Sequence, residues 1–189
     1  MDLRSIADSY RRVFRPRAER ELSWFAEQPD LATALDLATR AENTQGKRYS
    51  HQRRIPKSAM FHARQILLSA HDLIQKSGSF AELYHLIEQL VGDIHGIGPL
   101  YVYDTSLRIG AYMRLSPERI YLHTGTRIGA RNLGLPYQKD SLSLSELPAA
   151  FRKLEPFEIE DILCIFKDKV GPSYPPKDFD ELWDRSSCA

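Results

Sequence analysis

The stretch that decides the fold is residues 90–102, which read Leu-Val-Gly-Asp-Ile-His-Gly-Ile-Gly-Pro-Leu-Tyr-Val. This pattern indicates the end of one helix, a tight turn built on Gly96 and Gly98, and the start of a second helix. Glycine reaches positive φ at little cost and lets a partner approach the backbone closely. Pro99 follows at the position where a helix tolerates proline best. The first amides of the second helix would then point out of the turn, which predicts a binding site for an anion such as phosphate.

Helical patterns flank this turn on both sides. A Ser-x-x-Glu capping box at Ser79 opens the preceding helix, and apolar residues then recur at steps of three and four. Asp30 is a predicted cap of an earlier helix, and a second Ser-x-x-Glu box at Ser143 predicts a helix through 147–154. We expect an all-α fold of about seven to nine helices, with at most a short strand near 119–123. The expected organisation is a single helical domain over 1–189. Its parts are N-terminal helices (1–41), a basic loop (42–57), a core with the hairpin and a glycine-rich turn (58–135), and acidic C-terminal helices (136–189).

The turn and its flanking helices resemble a known family. Residues 94–99, Ile-His-Gly-Ile-Gly-Pro, are similar to the helix-hairpin-helix motif of DNA-binding and DNA-repair proteins. The resemblance covers residues 80–115. It implies that the amides around Gly96, Ile97, Gly98 and Leu100 grip backbone phosphates without reading base sequence.

A basic loop interrupts the helical periodicity between Glu42 and Pro56. From Lys47 to Lys57 it carries five cations and no acid, with Tyr49 and His51 among them. Lysine and arginine neutralise phosphates, and an aromatic ring can stack on an unpaired base. The loop therefore indicates either an arm that faces nucleic acid or an ordinary basic surface loop.

A glycine-rich stretch at 119–136 is the second candidate for anion contact. It combines Gly125, Gly129 and Gly134 with three arginines and no acid. It lacks the Gly-Lys-Ser/Thr ending of a nucleotide-binding phosphate loop. We expect a turn that uses Arg127, Gly129 and Arg131 to contact an anion, or else a glycine-rich packing corner.

Composition limits the class of protein. The 26 basic and 25 acidic residues nearly cancel, but the first 78 residues are basic and residues 136–189 are acidic. A basic N-terminal part and an acidic C-terminal part suit either an anionic partner bound by the basic part or packing of the acidic part over it. The near-neutral total charge argues against a strong electrostatic nucleic-acid binder. The sequence contains no run of about 18 apolar residues, so no membrane-spanning helix is predicted. With only two cysteines, Cys164 and Cys188, a cytoplasmic location is expected.

Catalytic signatures are sparse. The helix-hairpin-helix family includes glycosylases, which resemble one another in an aspartate about one helix beyond the hairpin, and some of them add a lysine within the hairpin helix. No lysine follows Gly98 closely, and Asp104 comes only six residues after it, too soon for that position. The six histidines include no His-x-x-x-His pair, so no metal and no cofactor is expected. His51 and His123, in irregular basic stretches, are the best candidates for acid–base work.

The leading hypothesis is a small intracellular protein that contacts the phosphate backbone of DNA or another nucleic acid without base specificity. One alternative is a protein–protein interaction module of a defence or repair assembly, in which the hairpin is purely structural. Another is an enzyme acting on nucleotides or nucleic acids through His51, Asp104 or His123, although an enzyme is not favoured. The residues expected to contact nucleic acid are Gly96, Ile97, Gly98, Leu100, Lys47, Arg48, Arg53, Arg54, Arg127, Gly129 and Arg131.

Overall fold

Helices make up most of the chain in the computed structural model, which describes residues 2–170. The all-α expectation is confirmed, and so is the short strand near 119–123. The described residues divide into two compact units: residues 18–117 form one, and residues 2–17 with residues 118–170 form the other. No helix within 2–170 is long and apolar enough to cross a membrane.

The unit formed by residues 18–117 holds the hairpin. Its helices follow the second half of α2 (Arg15–Ala26). They are α3 (Leu31–Arg40), α4 (Lys57–Ser69), α5 (His71–Ile74), α6 (Phe80–Val91) and α7 (Pro99–Met113), with a short 3-10 helix at Ser50–Gln52. Helix α3 packs against both α4 and α7, and α6 packs against α7 and α4. The core between them is fully buried and includes Leu35, Leu67, Leu83, Ile87 and Ile109.

Side-chain caps begin two of these helices where the sequence predicts them. The Asp30 carboxylate accepts a hydrogen bond from the Thr33 amide at 2.7 Å. Ser79 accepts from the Glu82 amide at 3.2 Å, and the Glu82 carboxylate accepts from the Gly78 amide at 2.8 Å. Each cap satisfies amides that have no partner within the helix. The boundaries of α3 and α6 are therefore fixed locally.

The other unit joins the first residues to the last described ones. It comprises α1 (Leu3–Ser9), a π-helical segment (Tyr10–Phe14), the start of α2, β1 (Ile120–Tyr121), α8 (Thr124–Asn132), β2 (Ser141–Leu142), a 3-10 helix (Leu144–Glu146) and α9 (Pro156–Ile165). The two strands are antiparallel, with Ile120 opposite Leu142. Both α8 and β1 pack on α9. The N-terminal segment is held in this unit by contacts that include two polar ones: Tyr10 donates to Asp161 at 2.5 Å, and Arg15 forms a two-point ion pair with the buried Glu158.

Two local predictions in this unit are wrong. A helix through 147–154 was expected after the capping box at Ser143; the box forms, but it closes only the 3-10 helix at Leu144–Glu146. The turn predicted within the glycine-rich stretch at 119–136 is instead the regular helix α8, and its Gly125 and Gly129 pack against α9. The rest of the predicted acidic C-terminal helices, beyond residue 170, lies outside the described residues.

Candidate nucleic-acid interface

The turn between α6 and α7 spans residues 92–98 and is ordered by short backbone bonds. The Ile94 amide donates to Val91 at 3.1 Å, and the Ile97 amide donates to Ile94 at 2.9 Å. Gly96 has φ +93°, a backbone region that favours glycine. Ile97, between the two glycines, is buried in the core. The turn is thus anchored by one apolar side chain and depends on glycine at one position.

Gly98 begins α7 without a side-chain cap. Its φ of −122° and ψ of 172° are extended, and Pro99 takes the first helical position. The amides of Tyr101 and Val102 donate to the Gly98 carbonyl, whereas within residues 2–170 no acceptor is recorded for the amides of Gly98 and Leu100. A Cβ added at Gly98 would meet no heavy atom within 4 Å. The backbone at the start of α7 can therefore be approached closely.

The basic loop is ordered along most of its length. Ala41 ends α3 in the left-handed region, and Glu42 pairs with Arg48 in an isolated antiparallel bridge. The side chain of Asn43 accepts from the amides of Gln45 and Lys47, which closes the tip. The loop is therefore a fixed surface feature.

The cations of this loop fall into two groups: one is bonded to the loop's own backbone, and the others are exposed. Arg48 is half-buried and donates to the Ile55 carbonyl at 3.1 Å, so it braces the loop from within. The remaining cations are exposed: Lys47, Arg53, Arg54 and Lys57.

The loop ends against the hairpin turn. A Cβ placed on Gly96 would lie 2.9 Å from Pro56 Cδ and 3.7 Å from the Ala59 Cβ. Pro56 is the last residue of the loop, and Ala59 lies in the first turn of α4. The predicted phosphate-binding turn and the end of the basic loop are therefore in direct contact. We call residues 47–57 together with 92–100 the hairpin–loop surface.

Two residues of this loop, His51 and Gln52, form a polar cluster with Asp104 of α7. His51 Nε2 lies 2.8 Å from Asp104 Oδ2, and Gln52 Nε2 donates to the same oxygen at 2.5 Å. The His51 side chain is 23% exposed and that of Asp104 is 14% exposed. Two of the three residues named as catalytic candidates, fifty-three positions apart, thus meet at hydrogen-bond distance.

Arg108 closes the cluster from the other side. One terminal nitrogen lies 3.6 Å from Asp104 Oδ2, as expected for residues four apart on a helix, and Nε lies 3.5 Å from Glu21 Oε1. Its guanidinium carbon lies 4.1 Å from the centre of the Tyr49 ring. Burial alone would lower the pKa of Arg108, but the carboxylates of Asp104 and Glu21 raise it, so the side chain stays charged. Burial also raises the pKa of Tyr49.

The third catalytic candidate, His123, belongs to the unit built around α9. It is buried, and Nε2 forms a short contact with the buried Glu160 carboxylate. Its backbone amide donates to the Thr126 hydroxyl at 2.7 Å as α8 begins. His123 therefore pairs inside its own unit.

Helix α8 is a packing element. A Cβ on Gly129 would overlap the Leu163 carbonyl, and one on Gly125 would lie 2.7 Å from the Cys164 sulfur. Arg127 donates to the carbonyls of Tyr137 and Lys139 at 2.8 Å and pairs with Asp140 at 3.1 Å. Of the residues predicted to contact an anion here, Gly129 packs against α9, and the Arg127 side chain is bonded to Tyr137, Lys139 and Asp140 of the same unit. Arg131 is exposed.

Sequence reasoning missed several members of these clusters. Gln52 carries no motif that marks it as a site residue. Glu21, in α2, is far from the loop in sequence, and Glu160 lies in an apolar helical pattern. A pairing between residues so distant in sequence leaves no local signal. Within 2–170, no group of three or more His, Cys, Asp or Glu side chains is arranged to hold a metal ion.

Comparison with known proteins identifies no relative. No protein-family model matches the chain, and neither a curated protein nor a solved structure matches it.

Proposed function

We propose that the protein binds nucleic-acid backbones, without base specificity, on the hairpin–loop surface. The observation that carries this proposal is the contact of Gly96 with Pro56 and Ala59. It places the end of a loop with exposed cations directly against a turn that begins a helix of fifteen residues. Phosphate binding needs both donors for its oxygens and positive charge beside them.

The two parts of the surface have separate roles. The amides of Gly98 and Leu100 would donate to phosphate oxygens, favoured by the positive end of the α7 dipole. Lys47, Arg53 and Arg54 would add charge without reading the bases. This division follows the helix-hairpin-helix resemblance, with one difference: the cations come from the loop that precedes α4.

The protein–protein alternative makes a different structural demand. A hairpin that serves only as a corner would have the backbone of both glycines covered and no basic face beside them. Gly96 is exposed although an added Cβ would meet Pro56, an added Cβ at Gly98 would meet no atom within 4 Å, and the neighbouring loop cations are exposed. This pattern favours the nucleic-acid proposal.

A salt titration tests the proposal. Binding of the full chain to a fluorescent 20-nucleotide RNA and to a DNA duplex of unrelated sequence would be followed by anisotropy over increasing salt. The variant loses three loop cations at once: Lys47→Gln, Arg53→Gln and Arg54→Gln. The matched control loses three exposed cations elsewhere in the chain: Arg12→Gln, Lys76→Gln and Lys153→Gln.

The expected result is an affinity that falls steeply with salt and is similar for unrelated sequences. Each phosphate contact contributes about 0.9 to the slope of log K against log salt on duplex DNA, and about 0.7 on single strands. The loop variant should lose up to about 2.7 of that slope on the duplex, and the control should lose none. Binding that is absent at low salt, ignores salt, or weakens equally in both variants overturns the proposal.

A further inference from the structure

The pairing of His51 with Asp104 has the geometry of a general base and the residue that orients it. A carboxylate only accepts hydrogen bonds, so Nε2 of His51 donates to Asp104 across the 2.8 Å contact. The other ring nitrogen, Nδ1, is then the basic one, and within residues 2–170 no hydrogen-bond partner is recorded for it. The His51 side chain is 23% exposed, so part of it is in contact with solvent.

Asp104 is itself held in place. Gln52 donates to its Oδ2, and the charged Arg108 lies 3.6 Å from the same oxygen. Gln52 in turn accepts from Arg108 at 3.3 Å, so three side chains brace one another. A base oriented by a fixed third group is the arrangement that recurs in general-base catalysis.

An exposed cation lies close to His51 along the chain. The chain from Tyr49 to Ile55 makes bonds from residue i to i+3: the Gln52 amide donates to Tyr49, and the Arg53 amide donates to Ser50. Arg54 follows three residues after His51, in the turn just beyond the 3-10 helix at Ser50–Gln52, and it is exposed.

We propose that His51 is the general base of an RNA-cleaving site, oriented by Asp104, with Arg54 beside the reacting phosphate. The inference rests on the proposed function, because the hairpin–loop surface would supply the binding. The cluster offers a base and positive charge. In RNA a 2′-hydroxyl lies next to each phosphate and can act as the nucleophile. Cleavage of RNA therefore requires a base that takes the hydroxyl proton and a positive charge beside the phosphate.

The reaction balances without an additional reagent. His51 Nδ1 takes the proton of the 2′-hydroxyl as the 2′-oxygen forms a bond to phosphorus. The bond between phosphorus and the 5′-oxygen breaks, and that oxygen takes a proton from the imidazolium or from water. Arg54 stabilises the negative charge on the phosphoryl oxygens. The products are a 2′,3′-cyclic phosphate and a free 5′-hydroxyl.

The test uses the full chain with a 5′-labelled single-stranded RNA in EDTA, and a DNA of the same sequence as the inert comparison. His51→Gln keeps a donor for Asp104 but removes the base, whereas His51→Ala removes both. His62→Ala is the matched control, because His62 is exposed on α4 and takes no part in the site. All variants are purified identically, and RNA binding is measured in parallel.

We expect cleavage of RNA but not DNA, with cyclic phosphate ends. Both His51 variants should lose at least about 100-fold in kcat, a typical contribution of general-base catalysis, and His62→Ala should lose none. His51→Gln should still bind RNA like the wild type, and added imidazole should restore part of the activity of His51→Ala. Asp104→Asn should lower kcat more than it raises KM.

Two failures are distinguishable. If RNA binds and is not cleaved, or if His51→Gln cleaves as fast as the wild type, the inference fails and the cluster serves only to fasten the loop. If RNA does not bind at all, the proposed function fails as well.

Discussion

Pro56 packs against the α-carbon of Gly96 so closely that a methyl group there would lie 2.9 Å from Pro56 Cδ. The contact joins the end of the basic loop to the turn between α6 and α7. Because Gly96 also has φ +93°, the position excludes other residues for two independent reasons. The hairpin–loop surface therefore depends on one glycine for its shape and on another, Gly98, for access.

Gly96→Ala should destabilise the protein. Crowding against Pro56 and the positive φ together should cost about 2–3 kcal/mol of unfolding free energy. Urea unfolding followed by circular dichroism measures this cost. The control is Gly46→Asn, since Gly46 has φ +67° with no atom within 4 Å of an added Cβ. If the two variants have equal stability, Pro56 does not constrain the turn.

Gly98→Ser should weaken nucleic-acid binding without loss of stability. The extended backbone at Gly98 accepts any residue. Serine at a helix N-cap stabilises the folded protein by about 0.3 kcal/mol more than glycine does. Its hydroxyl would occupy an amide of α7 and fill the space that a phosphate needs. The measurement is anisotropy at low salt beside a urea unfolding curve. Unchanged affinity would remove this turn from the binding surface.

Gly129→Ala should destabilise the unit built on α9. The methyl group would overlap the Leu163 carbonyl, and neither backbone can move aside cheaply. Overpacking of this kind costs about 3 kcal/mol, or roughly 6–12 °C in Tm for a chain of this size. Differential scanning calorimetry tests this. Arg131→Ala, at an exposed position of the same helix, should shift Tm by less than about 2 °C.

Glu146 should titrate at unusually low pH. A hydrogen bond from Lys139, with further bonds from the Ser143 amide and hydroxyl, lowers the pKa of Glu146 to about 2 from an ordinary 4.5. A depressed folded pKa stabilises the native state above pH 4.5, and that contribution is lost as the pH falls from 4.5 towards 2. Carbon-detected NMR of the side-chain carboxyl measures the titration.

Lys139→Gln is the matched variant for this titration. It should move the Glu146 midpoint up towards 4.5, because the largest single cause of the shift is removed. The two Ser143 bonds remain, so the midpoint should stop short of the ordinary value. An unchanged midpoint in Lys139→Gln would contradict the assigned cause.

Some of the fold could be predicted from sequence because the signals act over one helical turn. Asp30 and Ser79 each bond an amide three residues ahead, so their caps form whatever surrounds them. The Ser143 box forms for the same reason, but it does not lead into the expected α-helix. A cap fixes where a helix can begin and leaves its length to packing.

Of the two interpretations of the glycine-rich stretch, the turn is wrong for a related reason. Gly125 and Gly129 suggested a turn, because glycine favours turns when nothing packs on it. In α8 they lie four residues apart against α9, where Gly125 faces the Cys164 side chain and Gly129 faces the Leu163 backbone, and a side chain at either position would collide. Composition alone does not distinguish a flexible glycine from one required for close packing.

The sequence by itself determined the helical class, the turn at Gly96 and Gly98, and the positive charge of the loop, since each depends on residues within a few positions of one another. Only the tertiary structure decided what those features meet: Pro56 against Gly96, His51 against Asp104, and Arg15 of the first residues against Glu158 of α9. The physical reason is that these contacts are made by burial between segments far apart in the chain. Which distant side chain fills a given space is set by the packing of the whole unit.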